Sequence, residues 1–183
     1  MRIVCIRWNK NTKKRNISFM VKYYNAMVVF EEIPNEITLA INITNCPCHC
    51  KGCHSKFLWE DIGTELTTEE LDRLIGKNDG ITTVCFMGGD AEPQAIHELA
   101  EYVHENKHLK VGWYSGRDSY YKSINFHYFD YIKLGHYDEE LGGLNKKATN
   151  QRLYKLKHKI FESEGVEQID FEDITHLFWK KGS

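Results

Sequence analysis

The sequence predicts an α/β fold with a mainly parallel sheet. Three observations carry that prediction. From residue 37 onward, short β-branched or apolar runs alternate with segments of helical periodicity. The helical segments have start and stop signals, and the apolar runs end in glycine, polar or cysteine loops.

The first strand is expected over residues 37–44 (ITLAINIT), which alternate apolar and polar and lead into a cysteine-rich loop. The first helix opens with a capping box of Thr67 and Glu70, with Leu66 and Leu71 in the staple positions and Leu71, Leu74 and Ile75 as its apolar stripe. Asn78, Asp79 and Gly80 stop it. Residues 81–87 (ITTVCFM) are apolar enough for a strand buried on both faces, and they run into Gly88, Gly89 and Asp90. Pro93 opens a second helix with Ile96, Leu99, Ala100 and Val103 on one stripe. Strands follow at 109–114, ending at Ser115, Gly116 and Arg117, and at 128–134, ending at Gly135. Shorter alternating runs around 153–156 and 169–171 read as edge strands.

In a parallel sheet of βα units the strand C-termini gather on one rim, where functional groups collect. The cysteine loop, the 88–90 turn, the 115–117 turn and Gly135 are all expected there.

Residues 1–22 stand apart: Arg2, Arg7, Lys10, Lys13, Lys14 and Arg15 precede the first acidic residue, Glu31. They read as a basic, frayed leader, with Met20 a candidate true start, and 23–183 as one domain. A net charge of −2 leaves no global footprint for nucleic acid or an anionic membrane surface. No apolar run approaches the roughly 20 residues that cross a bilayer, and no signal peptide is evident. A cytoplasmic, reducing location is expected, with thiols free or bound to metal.

Residues 45–57, NCPCHCKGCHSKF, hold four of the six cysteines. Disulfides among such close neighbours would constrain little. Structural zinc has knuckle spacing at Cys50 and Cys53, but no second CxxC supplies the other ligand pair, so His49 or His54 would have to serve. Cys50, Cys53 and His54 also spell the CxxCH of c-type haem attachment, which normally belongs to exported proteins. Cys46, Cys50 and Cys53 form CxxxCxxC, three thiolates able to hold three irons of a [4Fe-4S] cluster and leave the fourth iron without a protein ligand.

This triplet after a first strand resembles the signature of the radical S-adenosylmethionine (SAM) superfamily. The resemblance implies a partial (β/α) barrel, with SAM chelating the open iron and Gly88, Gly89 and Asp90 holding its amino group. A closer similarity is to the activating enzymes of anaerobic, class III ribonucleotide reductases. It rests on Gly52 before the third cysteine and on Asn150, Gln151 and Arg152 beside Thr149 in ATNQRLY, and it spans about residues 23–157.

On that similarity the expected activity is reductive cleavage of SAM to a 5′-deoxyadenosyl radical. That radical abstracts a hydrogen atom from a glycine of the anaerobic ribonucleoside-triphosphate reductase large subunit. A one-electron donor such as flavodoxin would feed the cluster. Gly52, Cys53 and His54 are expected at the cofactor, His54 against the adenine. Activation of another glycyl-radical enzyme such as pyruvate formate-lyase, a small-molecule radical SAM reaction and a zinc-binding interaction module are the alternatives.

Some features depart from the pattern. Cys48 is an extra thiol, and KLGHYDEEL at 133–141 replaces a DG-containing turn, so no SAM contact carries over to Lys133 or His136. The leader and residues 169–179 have no counterpart. The mechanism needs no general acid or base, and His97, His104 and His108 are expected to face solvent. Trp113, Tyr114, Tyr120 and Tyr121 are candidates for a docking face as well as for core packing.

Overall fold

The computed structural model describes residues 2–7, 20–161 and 166–179, so most of the basic leader lies outside the described residues. Its strands are β1 (Arg2–Arg7), β2 (Lys22–Val29), β3 (Thr38–Ile43), β4 (Thr64–Glu65), β5 (Thr83–Met87), β6 (Lys110–Tyr114), β7 (Tyr131–Leu134), β8 (Arg152–Phe161) and β9 (Val166–Asp173). The helices are α1 (Thr68–Gly76) and α2 (Pro93–Lys107). All these strands join one open sheet in the order β1-β9-β8-β7-β6-β5-β3-β2-β4.

The sheet is not mainly parallel as expected: among the described strands, parallel pairing is confined to β3, β5, β6 and β7, which lie side by side in chain order, because the parallel pattern was legible only where strands alternate with helices. Antiparallel strands flank them: β2 and β4 on one side, β8, β9 and β1 on the other. The runs read as edge strands are therefore interior. β8 pairs with β7 and β9, while β9 pairs with β8 and β1. Residues 2–7, read as part of the leader, supply the outermost strand. Local periodicity did not carry that information, because a strand's neighbours are set by distant segments.

The elements form for the expected local reasons. Thr67 caps α1, its Oγ1 accepting from the Glu70 N–H at 3.2 Å, and Leu71 and Leu74 are buried. Such a cap contributes about 1 kcal/mol. The Glu70 carboxylate does not return to the cap but accepts from Arg73 Nε at 2.6 Å and from the Tyr23 hydroxyl. In α2, Pro93 sits in the first turn, and Ile96, Leu99, Ala100 and Val103 are all buried against the sheet.

Between β6 and β7 there is no helix among the described residues. A loop with a short 3-10 turn, Phe126–Tyr128, crosses instead and buries Phe126 and Phe129 completely. This turn delays the start of β7 to Tyr131. Of the aromatics read as docking or core candidates, Trp113 is fully buried and stacks on Tyr121 at 5.5 Å, and Tyr120, partly buried like Tyr121, packs against Phe126 and Phe171. The Tyr114 hydroxyl donates to the Glu32 carbonyl, and Tyr114 is itself only partly exposed. At the C-terminal end Ile169, Phe171 and Ile174 are core residues, and Leu177 alone of the large apolar side chains there is well exposed.

Of the helical histidines, only His108 faces solvent as expected, in a left-handed cap at φ 54°. His97 is mostly covered, stacks edge-on with Tyr128 at 5.5 Å, and burial lowers its pKa. His104 is half-buried against Tyr128 and His127. Tyr128 of the 3-10 turn covers this flank of α2, so positions off the apolar stripe are not exposed there.

Candidate metal centre

The loop after β3 carries the cysteines at the C-terminal rim of the parallel strands. Its ends are pinned by Asn45 N–H to the Glu60 carbonyl at 3.0 Å and Cys46 N–H to the Leu58 carbonyl at 2.9 Å. Inside it, Cys53 N–H donates to the Cys50 carbonyl at 3.1 Å, closing a tight turn through Lys51 and Gly52. Gly52 needs to be glycine twice over: its φ is +73°, and a Cβ would stand 2.5 Å from a Glu139 carboxylate oxygen. Glu139 also pairs with Lys51 at 2.7 Å, so the loop after β7 leans on the cysteine loop. His49 stacks on Trp59 at 4.6 Å.

All four loop cysteines are free and partly buried. The Ser55 N–H donates to Cys53 Sγ at 3.4 Å. The Cys46 thiol is pulled down to about 6, chiefly by a hydrogen bond from Cys48, and Cys48 is pushed up by the same bond, by burial and by Asp90. Three free, partly buried cysteines in one loop, with a backbone N–H directed at the Cys53 sulfur, are a donor set that fits an iron–sulfur cluster.

Asp90 is the hub of the rim. It is 4% exposed, and its Oδ1 accepts from Ser115 Oγ at 2.6 Å and from the Tyr121 hydroxyl at 3.2 Å. Its Oδ2 accepts from Gly116 N–H at 2.7 Å and faces Cys48 Sγ at 3.9 Å. The turn therefore ties β5 to the β6 loop. Gly88 and Gly89 have φ of +105° and +89°, and a Cβ on Gly89 would drive into Ile96 of α2. Trp113 Nε1 donates to the Gly88 carbonyl at 2.8 Å, fixing the turn from below.

Lys133, the penultimate residue of β7, points under this rim. It is 8% exposed, and its Nζ donates to the carbonyls of Gly135 at 2.6 Å and Ser115 at 3.4 Å. Burial lowers its pKa to about 8, against the opposing pull of Asp90 and the cysteines. No local pattern in the sequence says that Lys133, a lysine in a strand, turns inward.

The NQR segment braces the fourth strand end. Asn150 Nδ2 donates to the His136 carbonyl at 3.0 Å, and a Cβ on Gly135 would lie 2.9 Å from the Gln151 Cα. Arg152 Nη1 donates to the carbonyls of Thr149 and Gln151 at 2.5 and 2.6 Å. Thr149 and Gln151 are buried. His136 pairs with Asp118 at 2.7 Å, and His54 Nε2 lies 3.2 Å from the Tyr137 hydroxyl. A cavity of about 350 Å³ opens between these loops, lined by Cys48, Cys50, Lys51, His136, Tyr137 and Glu139 among others. That volume is in the range of small-molecule sites.

The structure thus brings the cysteine loop, Asp90 and His54 to one rim, as the sequence led one to expect. Ser115, from the turn expected at this rim, joins them as a partner of Asp90, and Tyr121 and Lys133 join as neighbours that no motif announced. Among the described residues no helix is long and apolar enough to cross a membrane. A family described as a 4Fe-4S single cluster domain matches residues 37–154, more than half of the 183 residues and the whole rim. No curated protein and no solved structure matches the chain.

Proposed function

Since the chain belongs to the 4Fe-4S single cluster domain family, we propose that it is a radical SAM activase, generating a glycyl radical on an anaerobic ribonucleoside-triphosphate reductase. The observation that carries this reading is the pairing of a single CxxxCxxC loop with an acidic turn whose Asp90 Oδ2 faces Cys48 of that loop at 3.9 Å. Cys46, Cys50 and Cys53 would hold the cluster, leaving one iron for SAM. When bound, the cluster supplies one electron for breaking a carbon–sulfur bond of SAM, chemistry that belongs to the cofactors.

The chain's own residues position and shield. Asp90 Oδ2 has one accepting direction left after Gly116, now met only by the weak donor Cys48; an ammonium group is a far stronger donor there. The positive φ of Gly88 and Gly89 turns the chain sharply at the end of β5, with their bare Cα atoms packed against Ile43 and Ile96, and so sets Asp90 at the rim. Tyr137 lines the cavity and meets the His54 ring edge-on at 5.2 Å, which places an aromatic surface beside the cysteine loop for an adenine to pack on. NQR supports the reductase as target through its likeness to that activase group, acting by bracing the Gly135 turn rather than by direct chemistry.

The deciding experiment mixes anaerobically reconstituted, reduced protein with SAM and the host's anaerobic reductase and records electron paramagnetic resonance spectra. A glycyl radical on the reductase is the expected result. SAM cleavage without that radical moves the assignment to another glycyl-radical enzyme, such as pyruvate formate-lyase, or to a small-molecule substrate. A colourless protein holding one zinc at the loop cysteines defeats the radical reading altogether.

A further inference from the structure

At the opposite rim, by the N-terminal ends of β6 and β7, lies a histidine cluster that the cysteine chemistry does not use. His127 stands in the 3-10 turn before β7, His158 on β8 and Glu167 on β9. The register sets His158 opposite Ile169 and Ile160 opposite Glu167, so His158 and Glu167 are diagonal neighbours on one face of the sheet. His127 Nδ1 lies 2.6 Å from one Glu167 oxygen and His158 Nδ1 lies 2.8 Å from the other. Glu167 has 3% of its side chain exposed, against 17% for His127 and 25% for His158.

The orientation of His158 is informative. Its Nε2 is 2.9 Å from the Phe129 carbonyl oxygen, which can only accept, so Nε2 carries the hydrogen. Its Nδ1 then presents a lone pair to a carboxylate oxygen unless a second proton or a cation stands between them. A metal-binding histidine is held in this way: one ring N–H donates to a backbone carbonyl, which leaves the other nitrogen's lone pair for the ion. His104 and Glu105, in the last turn of α2, each bring a potential ligand atom within 4.8 Å of one on His127.

We propose that His127, His158 and Glu167 hold a second metal ion, a divalent late first-row ion such as zinc, at the rim opposite the cysteine loop. Two imidazoles and a carboxylate make a nitrogen–oxygen donor set suited to zinc, and the carboxylate's second oxygen, or a water, completes four-coordination. Ligand atoms in a tetrahedral zinc site stand about 3.3 Å apart, so a small opening of the present contacts admits the ion. Such an ion would clamp the 3-10 turn to β8 and β9, cross-linking segments about forty residues apart in sequence. The site is independent of what the cysteine loop does.

The test uses the full-length protein with its cluster loaded, so that the loop thiols are occupied. It is incubated anaerobically with Zn²⁺, desalted, and analysed for zinc and iron and by zinc X-ray absorption. One zinc per chain is expected, with nitrogen and oxygen neighbours at about 2.0–2.1 Å and no sulfur. His158→Asn and Glu167→Gln should each weaken zinc binding at least tenfold, about the cost of losing a ligand or its support, with iron content unchanged. His127→Ala, at a partly exposed turn, serves where either of those variants fails to fold: zinc should raise the Tm of the parent and not of this variant. A parent that retains no zinc, zinc with sulfur neighbours, or full zinc binding by the folded variants overturns the proposal.

Discussion

Asp90 and Cys48 face each other at 3.9 Å across the rim, and the same carboxylate oxygen takes the Gly116 N–H at 2.7 Å. The extra cysteine of the loop is thereby placed against the acidic turn of β5, while Cys46, Cys50 and Cys53 make the triplet. Cys46→Ala, Cys50→Ala and Cys53→Ala should each abolish stable cluster loading, read as loss of iron from about four per chain and of the visible absorbance. Cys48→Ala should keep both. If Cys48→Ala also loses its iron, the ligand assignment is wrong.

Asp90→Ala strands the Ser115 hydroxyl and the Gly116 N–H in a buried place, at a cost of about 2–4 kcal/mol. Thermal unfolding should therefore fall by roughly 5–15 °C. SAM binding, followed by calorimetry on the reconstituted protein, should be lost as well. Asp90→Asn keeps one accepting oxygen, so it should recover most of the stability but little of the binding. Equal recovery of both would show that the carboxylate has no role beyond holding the turn.

Gly116 has no unusual backbone angle, yet an added Cβ would stand 2.6 Å from Cys48 Sγ. Gly116→Ala should displace that side chain, cost about 1–3 kcal/mol and slow cluster assembly. Removing the obstacle is the check: Gly116→Ala combined with Cys48→Ala should load iron at the rate of Cys48→Ala alone. Additive defects in the double variant would locate the strain elsewhere.

At the other rim Glu36 is buried and accepts from Lys110 Nζ at 2.6 Å, Tyr131 at 2.6 Å and Thr82 at 2.6 Å. Burial raises its pKa, but these donors, led by Lys110, outweigh it and the carboxyl ends below its ordinary value of 4.5. A depressed folded-state pKa stabilises the fold above the ordinary value and ceases to do so as pH falls through the folded-state pKa. Comparing Glu36→Gln with the parent by urea unfolding should show a gap that is constant near neutrality and shrinks only below pH 4.5. A gap that grew on acidification would contradict the sign of this linkage.

Much of the parallel core was legible locally. The Thr67 cap, the Pro93 start and the stripes of α1 and α2 are short-range signals, and each element formed where they pointed, within a few residues. The start of β7 was missed because Phe126 and Phe129, apolar enough for a strand, bury themselves from a 3-10 turn instead. His97 and His104 were misjudged because exposure of a helix face depends on what crosses it, and that turn crosses it.

By itself the sequence determined the chemistry available: a thiol triplet with a supernumerary cysteine, and an acidic turn with glycines before it, each at the end of a strand. Those follow from covalent spacing and from the period of the apolar pattern. Tertiary structure alone decided who stands beside whom. It turned Asp90 toward Cys48 and Gly116, drew Lys133 beneath the rim, paired residues 2–7 with β9, and gathered His127, His158 and Glu167 at the far end. Sheet order and register set these contacts, and both depend on pairing between segments far apart in the chain, which no local pattern encodes.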